Sequence, residues 1–173
     1  MGPRRHVGGA LEAARIDPLV TIDRVTADRV AIGALLEAYA DVINRRAFAE
    51  LEELFRPGCE IVIDARRGEP IVAIGGAGLG AFVAGAIGRY DFFEFVILSK
   101  RLWVDGSDEA TGRLYMCEIR HDGATGEPSQ AFGVYHDRFE RVDDRWWFAA
   151  RSYHSLARTS SSGERALDVF DFP

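Results

Sequence analysis

Between Phe92 and Leu156 the sequence runs as four long segments, FFEFVILSKRLWV, EATGRLYMCEIRHD, SQAFGVYHDRFERV and RWWFAARSYHSL, parted by Asp105-Gly106, Asp122-Gly123 and Asp143-Asp144. The segments carry β-branched and aromatic residues, and each break carries residues that favour tight turns. Such a run predicts an antiparallel meander. A sheet of this extent must be covered on one face, and the segments that precede it have to supply the cover.

Upstream, TADRVAIGALLEAYADVINRR places Ile32, Leu35, Leu36, Tyr39, Val42 and Ile43 at spacings of three and four, which predicts a helix with an apolar stripe. Thr26 stands where it can cap this helix, and Asp28 falls in its first turn. AFAELEELF puts Phe48, Leu51, Leu54 and Phe55 on one side before Pro57-Gly58 ends the pattern, so a second, short helix is expected. CEIVIDA alternates and predicts a strand, followed by a shorter one over Ile71 to Ile74. GGAGLGAFVAGAIG satisfies neither GxGxxG nor a GKS or GKT ending, which excludes phosphate-loop chemistry. Its glycines and alanines predict a third helix packed closely on a neighbour.

The polar stretch 1–24, with Pro3 and Pro18, is expected to be an N-terminal arm, and 25–158 the folded domain. The tail, 159–173, is a polar linker followed by Leu167, Val169, Phe170 and Phe172, which dock either on the domain or on a partner subunit.

Charge and composition narrow the function. A formal net charge of −6 with scattered arginines offers nucleic acid no basic footprint. The apolar stretches fall short of a membrane span, and no export signal is legible at the start. Cys59 and Cys117 have neither zinc-site nor disulfide-framework spacing, which suits a reducing compartment. A soluble, cytoplasmic protein is expected. The four histidines show no HxH, HExxH or carboxylate-paired metal spacing, so neither a metal nor another cofactor is expected.

The words LLEAYADVINRRAFAELEELFRPGCEI, ATGRLYMCEIR and GVYHDRFERVDDRWWFAAR, in this order and spacing from about Asp23 to Arg158, resemble the SnoaL-like branch of the nuclear transport factor 2-like superfamily, which also holds ketosteroid isomerases and scytalone dehydratases. The resemblance implies an α+β fold, a cone-shaped half-barrel with three N-terminal helices packed on a curved, mixed, mainly antiparallel sheet. It implies a small apolar ligand inside the cone and a homodimer. The catalytic pattern of the dehydratases, bile-acid 7α-dehydratase included, maps a tyrosine onto Tyr39, a carboxylate onto Glu118 and a pocket-lining position onto Tyr135. Asn44 stands where that pattern has Asp, and Phe95 where it has His, with Ser99 four residues on.

Several of these side chains carry two readings. Glu118 shares a strand face with Leu114, Met116 and Arg120, so it is either a general acid or base tuned by desolvation or half of an ion pair at the sheet rim. Tyr39 is a core tyrosine or a donor to a substrate oxygen. Asp64 is an inward carboxylate or a strand-end partner of Arg66 and Arg67. Asn44 binds a substrate oxygen or caps the first helix. His121 is exposed beside its turn unless a bulge carries it inward, and His154 lies where it can close the mouth. Tyr135 and Asp137 face the cavity together, leaving His136 on the outer face.

The function expected from these residues is a cofactor-independent lyase or isomerase of the dehydratase, cyclase or ketosteroid-isomerase type. Its catalytic groups are Glu118, Tyr39 and Tyr135, with Asn44, Asp64, Phe95, Ser99, Met116, Arg120, His121 and His154 about the substrate. The alternative is a non-catalytic module of the same fold that binds a small ligand or dimerises.

Overall fold

In the computed structural model of the chain, residues 23–159 and 166–173 are described. Most of the expected arm, and the tail segment 160–165, lie outside them.

Helix α1 (Arg24–Arg45) begins where the Asp23 side chain accepts the Thr26 backbone N–H at 3.0 Å. Asp23, rather than Thr26, is therefore the cap. The helix ends at Arg46, whose left-handed backbone lets its N–H return to the Ile43 carbonyl. All six residues of the apolar stripe are buried, and each such aliphatic side chain stabilises the fold by about 1.5–3 kcal/mol. Asp28 reaches inward instead of serving the helix start. It is 4% exposed and accepts from Arg141 Nη1 at 2.5 Å and Trp146 Nε1 at 3.2 Å, which ties α1 to the far end of the sheet.

The second apolar cluster forms a 3₁₀ helix over Phe48–Glu53, not an α-helix. The helical segment between the Arg46 turn and Pro57 is only six residues long, too short for α-helical hydrogen bonding to propagate. Its exit is fixed to the sheet, with the Leu54 carbonyl accepting from the Phe148 N–H at 3.0 Å and the Arg56 N–H donating to the Phe148 carbonyl at 2.9 Å. Strands β1 (Glu60–Asp64) and β2 (Ile71–Ile74) pair antiparallel. Helix α2 (Gly75–Ile87) follows directly. The expectation of three N-terminal helices thus resolves into two α-helices and one 3₁₀ helix, with α2 placed after two strands.

Helix α2 lies against the 3₁₀ helix so closely that a Cβ on Gly76 would stand 2.3 Å from the Leu51 carbonyl oxygen, and one on Gly80 would stand 2.9 Å from that of Phe48. The close packing expected from its composition is with this element.

Strands β3 (Tyr90–Val104), β4 (Glu109–Asp122), β5 (Pro128–Val142) and β6 (Arg145–Thr159) form the antiparallel meander. Asp143 and Asp144 both take positive φ, 51° and 60°, as a two-residue hairpin turn between β5 and β6 requires. The sheet order is β2-β1-β6-β5-β4-β3, with β1 parallel to β6 and every other pairing antiparallel. Strand β7 (Leu167–Val169) pairs with β6, so this part of the tail docks on its own chain. The core fills the space between the helices and one face of the sheet.

Candidate functional site

A cavity of about 200 Å³ lies between α1, α2 and the inner face of the sheet. Its walls are apolar, with Leu79, Phe82 and Val83 from α2 facing Ile61 and Ile63 from β1. Alternation along the strands places Arg151, Tyr153 and Ser155 of β6 inward, and Glu118 and Arg120 of β4 beside them.

The floor is aromatic. Tyr39 meets Phe95 edge-on with centroids 5.5 Å apart, and Tyr135 lies 6.2 Å from Tyr39 and 5.1 Å from Tyr153. Beneath them Arg151 is wholly buried. Its Nε donates to Asp137 Oδ1 at 2.7 Å and its Nη2 to Asp137 Oδ2 at 2.9 Å. The guanidinium carbon stands 4.2 Å from the ring centres of Tyr39 and Phe148 and 4.3 Å from that of Tyr135. Nη1 of Arg151 is buried without a hydrogen-bond partner among the described residues. Burial opposes the charge, but the Asp137 carboxylate outweighs it and holds the arginine cationic.

That cation does not ionise the tyrosines around it. Burial pushes the Tyr39 pKa up against the opposing Arg151 charge and a hydrogen bond with Tyr135. Burial also raises Tyr135 well above its ordinary value, with the neighbouring Tyr39 adding to the shift. Tyr153 is pushed up to about 12 by burial and then by the Glu118 charge. All three hydroxyls stay protonated at neutral pH.

Glu118 forms an ion pair with Arg120 two residues along the same face of β4, both side chains less than a fifth exposed. Burial works against the Arg120 charge, and Glu118 more than restores it. Of the two readings of Glu118, the structure shows the ion pair. The ion pair is real, and it stands inside the cavity.

The structure brings Tyr39, Phe95, Glu118, Arg120 and Tyr135 to the cavity. It does not bring the others. Met116 is fully buried in the core, and Ser99 is exposed on β3 beyond a register shift at Ile97/Ser99. Asn44 is occupied by backbone, its Nδ2 donating to the Phe95 carbonyl at 3.0 Å and its Oδ1 accepting the Phe95 N–H at 2.7 Å. His121 is half-exposed outside the cavity, with Nδ1 2.6 Å from Asp91 Oδ1, and that hydrogen bond raises its pKa. Asp64 stands opposite His154 in the parallel β1–β6 pair, its Oδ2 3.6 Å from Nδ1, on the face that turns away from the cavity. A backbone hydrogen bond from Arg66 holds the Asp64 pKa low. Asp137 meets Arg151 rather than the cavity space. Among the described residues no group of three or more His, Cys, Asp and Glu side chains is arranged to hold a metal ion.

Arg151, Tyr153 and Arg158 were not singled out in the sequence. Arg151 and Tyr153 stand in register across from Asp137 and Tyr135 on the neighbouring strand, but only because of a register shift at Arg138/Phe139 that alternation along the sequence does not reveal.

Residues 24–152 match the sequence profile of the SnoaL-like domain. Among solved structures, the chain is similar to a protein of Novosphingobium aromaticivorans DSM 12444 assigned provisionally as a scytalone dehydratase, with a TM-score of 0.70 at 18% identity over 87% of this chain and 98% of that one. The hexachlorocyclohexane dehydrochlorinase LinA-type3 of Novosphingobium barchaimii LL02 matches at TM-score 0.67 and 20% identity, over 85% of this chain and 96% of the other. An NTF2-like protein with a cystatin-like fold from Novosphingobium aromaticivorans matches at 0.64 and 22%, over 77% and 84%. Likeness at these identities shows the fold alone. No curated protein matches the chain.

Proposed function

The chain belongs to the SnoaL-like family, and from that premise we propose that it moves a proton on an apolar, oxygenated small molecule without a cofactor, as a lyase or isomerase. The observation that carries this reading is the placement of an arginine-paired carboxylate, Glu118, in an apolar cavity beside protonated tyrosines and the Arg151 cation. A base, hydrogen-bond donors and a fixed positive charge share one water-poor space.

In this reading the Glu118 carboxylate takes a proton from a carbon next to a substrate carbonyl, and the C–H electron pair moves into an enolate. Charge developing on the oxygen is met by the Tyr39 and Tyr135 hydroxyls and by Arg151, all positioned before the reaction begins. In an isomerase, protonated Glu118 returns the proton to a conjugated carbon. In a lyase, the electron pair expels a β-hydroxyl, which takes the same proton and leaves as water. The sheet wraps the cavity as a cone in this picture, and the protein is a cytoplasmic homodimer. Trp103 and Leu98, exposed on β3, and the two free cysteines accord with that assembly and compartment.

A specific observation favours a second reading, a binder without chemistry. Asn44 and Phe95 hold one another at the positions where the dehydratases carry their Asp and His, so no second acid-base group faces Glu118 from there. Native mass spectrometry after incubation with apolar metabolites, with chromatography of the released ligand against the starting compound, separates the two. A bound molecule lighter by one water, or rearranged at unchanged mass, supports catalysis, while a ligand returned unaltered supports storage. On the substrate so found, Glu118→Gln is expected to lower turnover by about 10²–10⁴-fold, the usual contribution of a general base. Full turnover by this variant would disprove the mechanism.

A further inference from the structure

The charge of the cavity runs against that of the chain. The protein is acidic, with a formal net charge of −6. Among the described residues its cavity is nevertheless lined by four arginines, Arg67, Arg120, Arg151 and Arg158, and by Glu118 as the one carboxylate.

Two of these cations are answered within the fold, Arg151 by Asp137 and Arg120 by Glu118. Arg67 and Arg158 form no ion pair among the described residues. Arg158 is tied to the chain just before Arg67, its Nη1 donating to the Ala65 carbonyl at 2.7 Å and its Nη2 to the Arg66 carbonyl at 2.9 Å. The Arg158 guanidinium is thus held beside the backbone that leads into Arg67, and both residues line the cavity. Burial, and then the Arg67 charge, press the Arg158 pKa down and Arg120 adds to this, while Asp168 and Tyr153 oppose it without outweighing it. Arg120 itself keeps a buried Nε without a hydrogen-bond partner among the described residues. Three cations at one end of a cavity, with an unanswered buried donor among them, form an arrangement that an incoming anion relieves.

We propose that the substrate of this site is an apolar ring body bearing one carboxylate, which binds between Arg67, Arg158 and the Arg120 Nε while the rings lie against Phe82, Val83 and Ile63. Guanidinium groups match a planar carboxylate, and the apolar walls take the remainder. A tetrahedral dianion suits the site less well, since both terminal nitrogens of Arg158 are already bonded to carbonyls. This inference rests on the cavity being the ligand site, and it names the class of ligand.

The test is calorimetric titration with benzoate, naphthoate and anthracene carboxylate, each beside its neutral carboxamide and its aryl phosphate counterpart, at low ionic strength. At least one carboxylate is expected to bind about tenfold or more tighter than its amide and tighter than the phosphate, because charge-assisted bonds to arginine are lost in the amide. Arg67→Gln is expected to remove most of that advantage. Arg67 makes no hydrogen bond or ion pair among the described residues, so its loss leaves the fold unchanged. Arg158→Gln is the second variant. Glu118→Gln is expected to keep or strengthen carboxylate binding, since it removes a like charge and frees Arg120. Equal affinity for carboxylate and amide, no affinity for any carboxylate, a preference for the phosphate, or an advantage that survives both arginine variants overturns the inference. None of those results touches the role of Glu118 in turnover. Conversely, full turnover by Glu118→Gln with the carboxylate preference intact would remove the mechanism and leave this inference standing.

Discussion

Arg151 and Asp137 face each other across β6 and β5 in a two-point ion pair, 2.7 Å and 2.9 Å, with side-chain exposures of 0% and 1%. The pair is also the floor of the cavity, because the guanidinium lies against Tyr39, Tyr135 and Phe148. Removing one partner strands the other as a buried, uncompensated charge. Asp137→Asn and Arg151→Met are each expected to cost about 3–5 kcal/mol in chemical denaturation. Asp137→Asn with Arg151→Met together should cost less than the sum of the two. A strictly additive double variant would show that the two side chains act separately.

Helix α2 can be tested by two glycines of opposite character. A Cβ on Gly76 would meet the backbone of Leu51 and Glu52 at 2.3–2.5 Å, so the helix must lift from the 3₁₀ helix. Gly76→Ala should destabilise by about 1–3 kcal/mol, as overpacking does. At Gly85 an added Cβ meets nothing within 4 Å, and Gly85→Ala should stabilise by about 0.5–1 kcal/mol through helix propensity alone. Thermal melts decide both. If the two variants shift in the same direction, the packing argument fails.

Two histidines should pull the pH dependence of stability in opposite directions. His136 lies edge-on to Phe172 of the tail, and burial, Arg113 and His154 hold its pKa down while Asp137 opposes them. The unfolded chain takes up this proton more readily, so its contribution is present above about pH 6.5 and is lost on acidification. His121 is raised by Asp91, so its contribution is present below about pH 6.5 and is lost as pH rises through the folded value. Between about pH 8 and pH 5, His136→Gln should therefore reduce the loss of stability on acidification, and His121→Gln should increase it. Melting curves across that range check the signs.

How much of this was legible follows from what each feature depends on. The stripe of α1 and the four long strands depend on local periodicity, and the sequence carries that directly. The Arg151–Asp137 pair depends on how β5 and β6 meet, and a register shift between Arg138 and Phe139 intervenes. Alternation alone leaves open whether Asp137 points into the cavity or closes its floor. Asp64 depends on the parallel pairing of β1 with β6, a contact between segments some ninety residues apart that places it against His154. Asp28 has a side chain suited to a helix start, but its partners, Arg141 and Trp146, arrive from the opposite end of the domain. The glycines of α2 announced a close approach without naming what approaches.

Asn44 offers the sharpest separation of structure from chemistry. Strand β3 ends the sheet, and at Phe95 its backbone N–H and carbonyl are both answered by the Asn44 amide instead of by another strand. An amide can serve a donor and an acceptor at once, and an ionised carboxylate cannot. Asn44→Ala leaves both groups unanswered and is expected to cost about 1–3 kcal/mol. Asn44→Asp keeps the acceptor but sets a negative charge against the Phe95 carbonyl. Its deficit relative to the parent should be largest at neutral pH and should shrink toward about pH 4, where a protonated carboxyl regains a donor. Denaturant titrations of both variants at the two pH values measure this. A parent-like stability for Asn44→Ala would mean that the clamp adds nothing and that the side chain is free for a ligand.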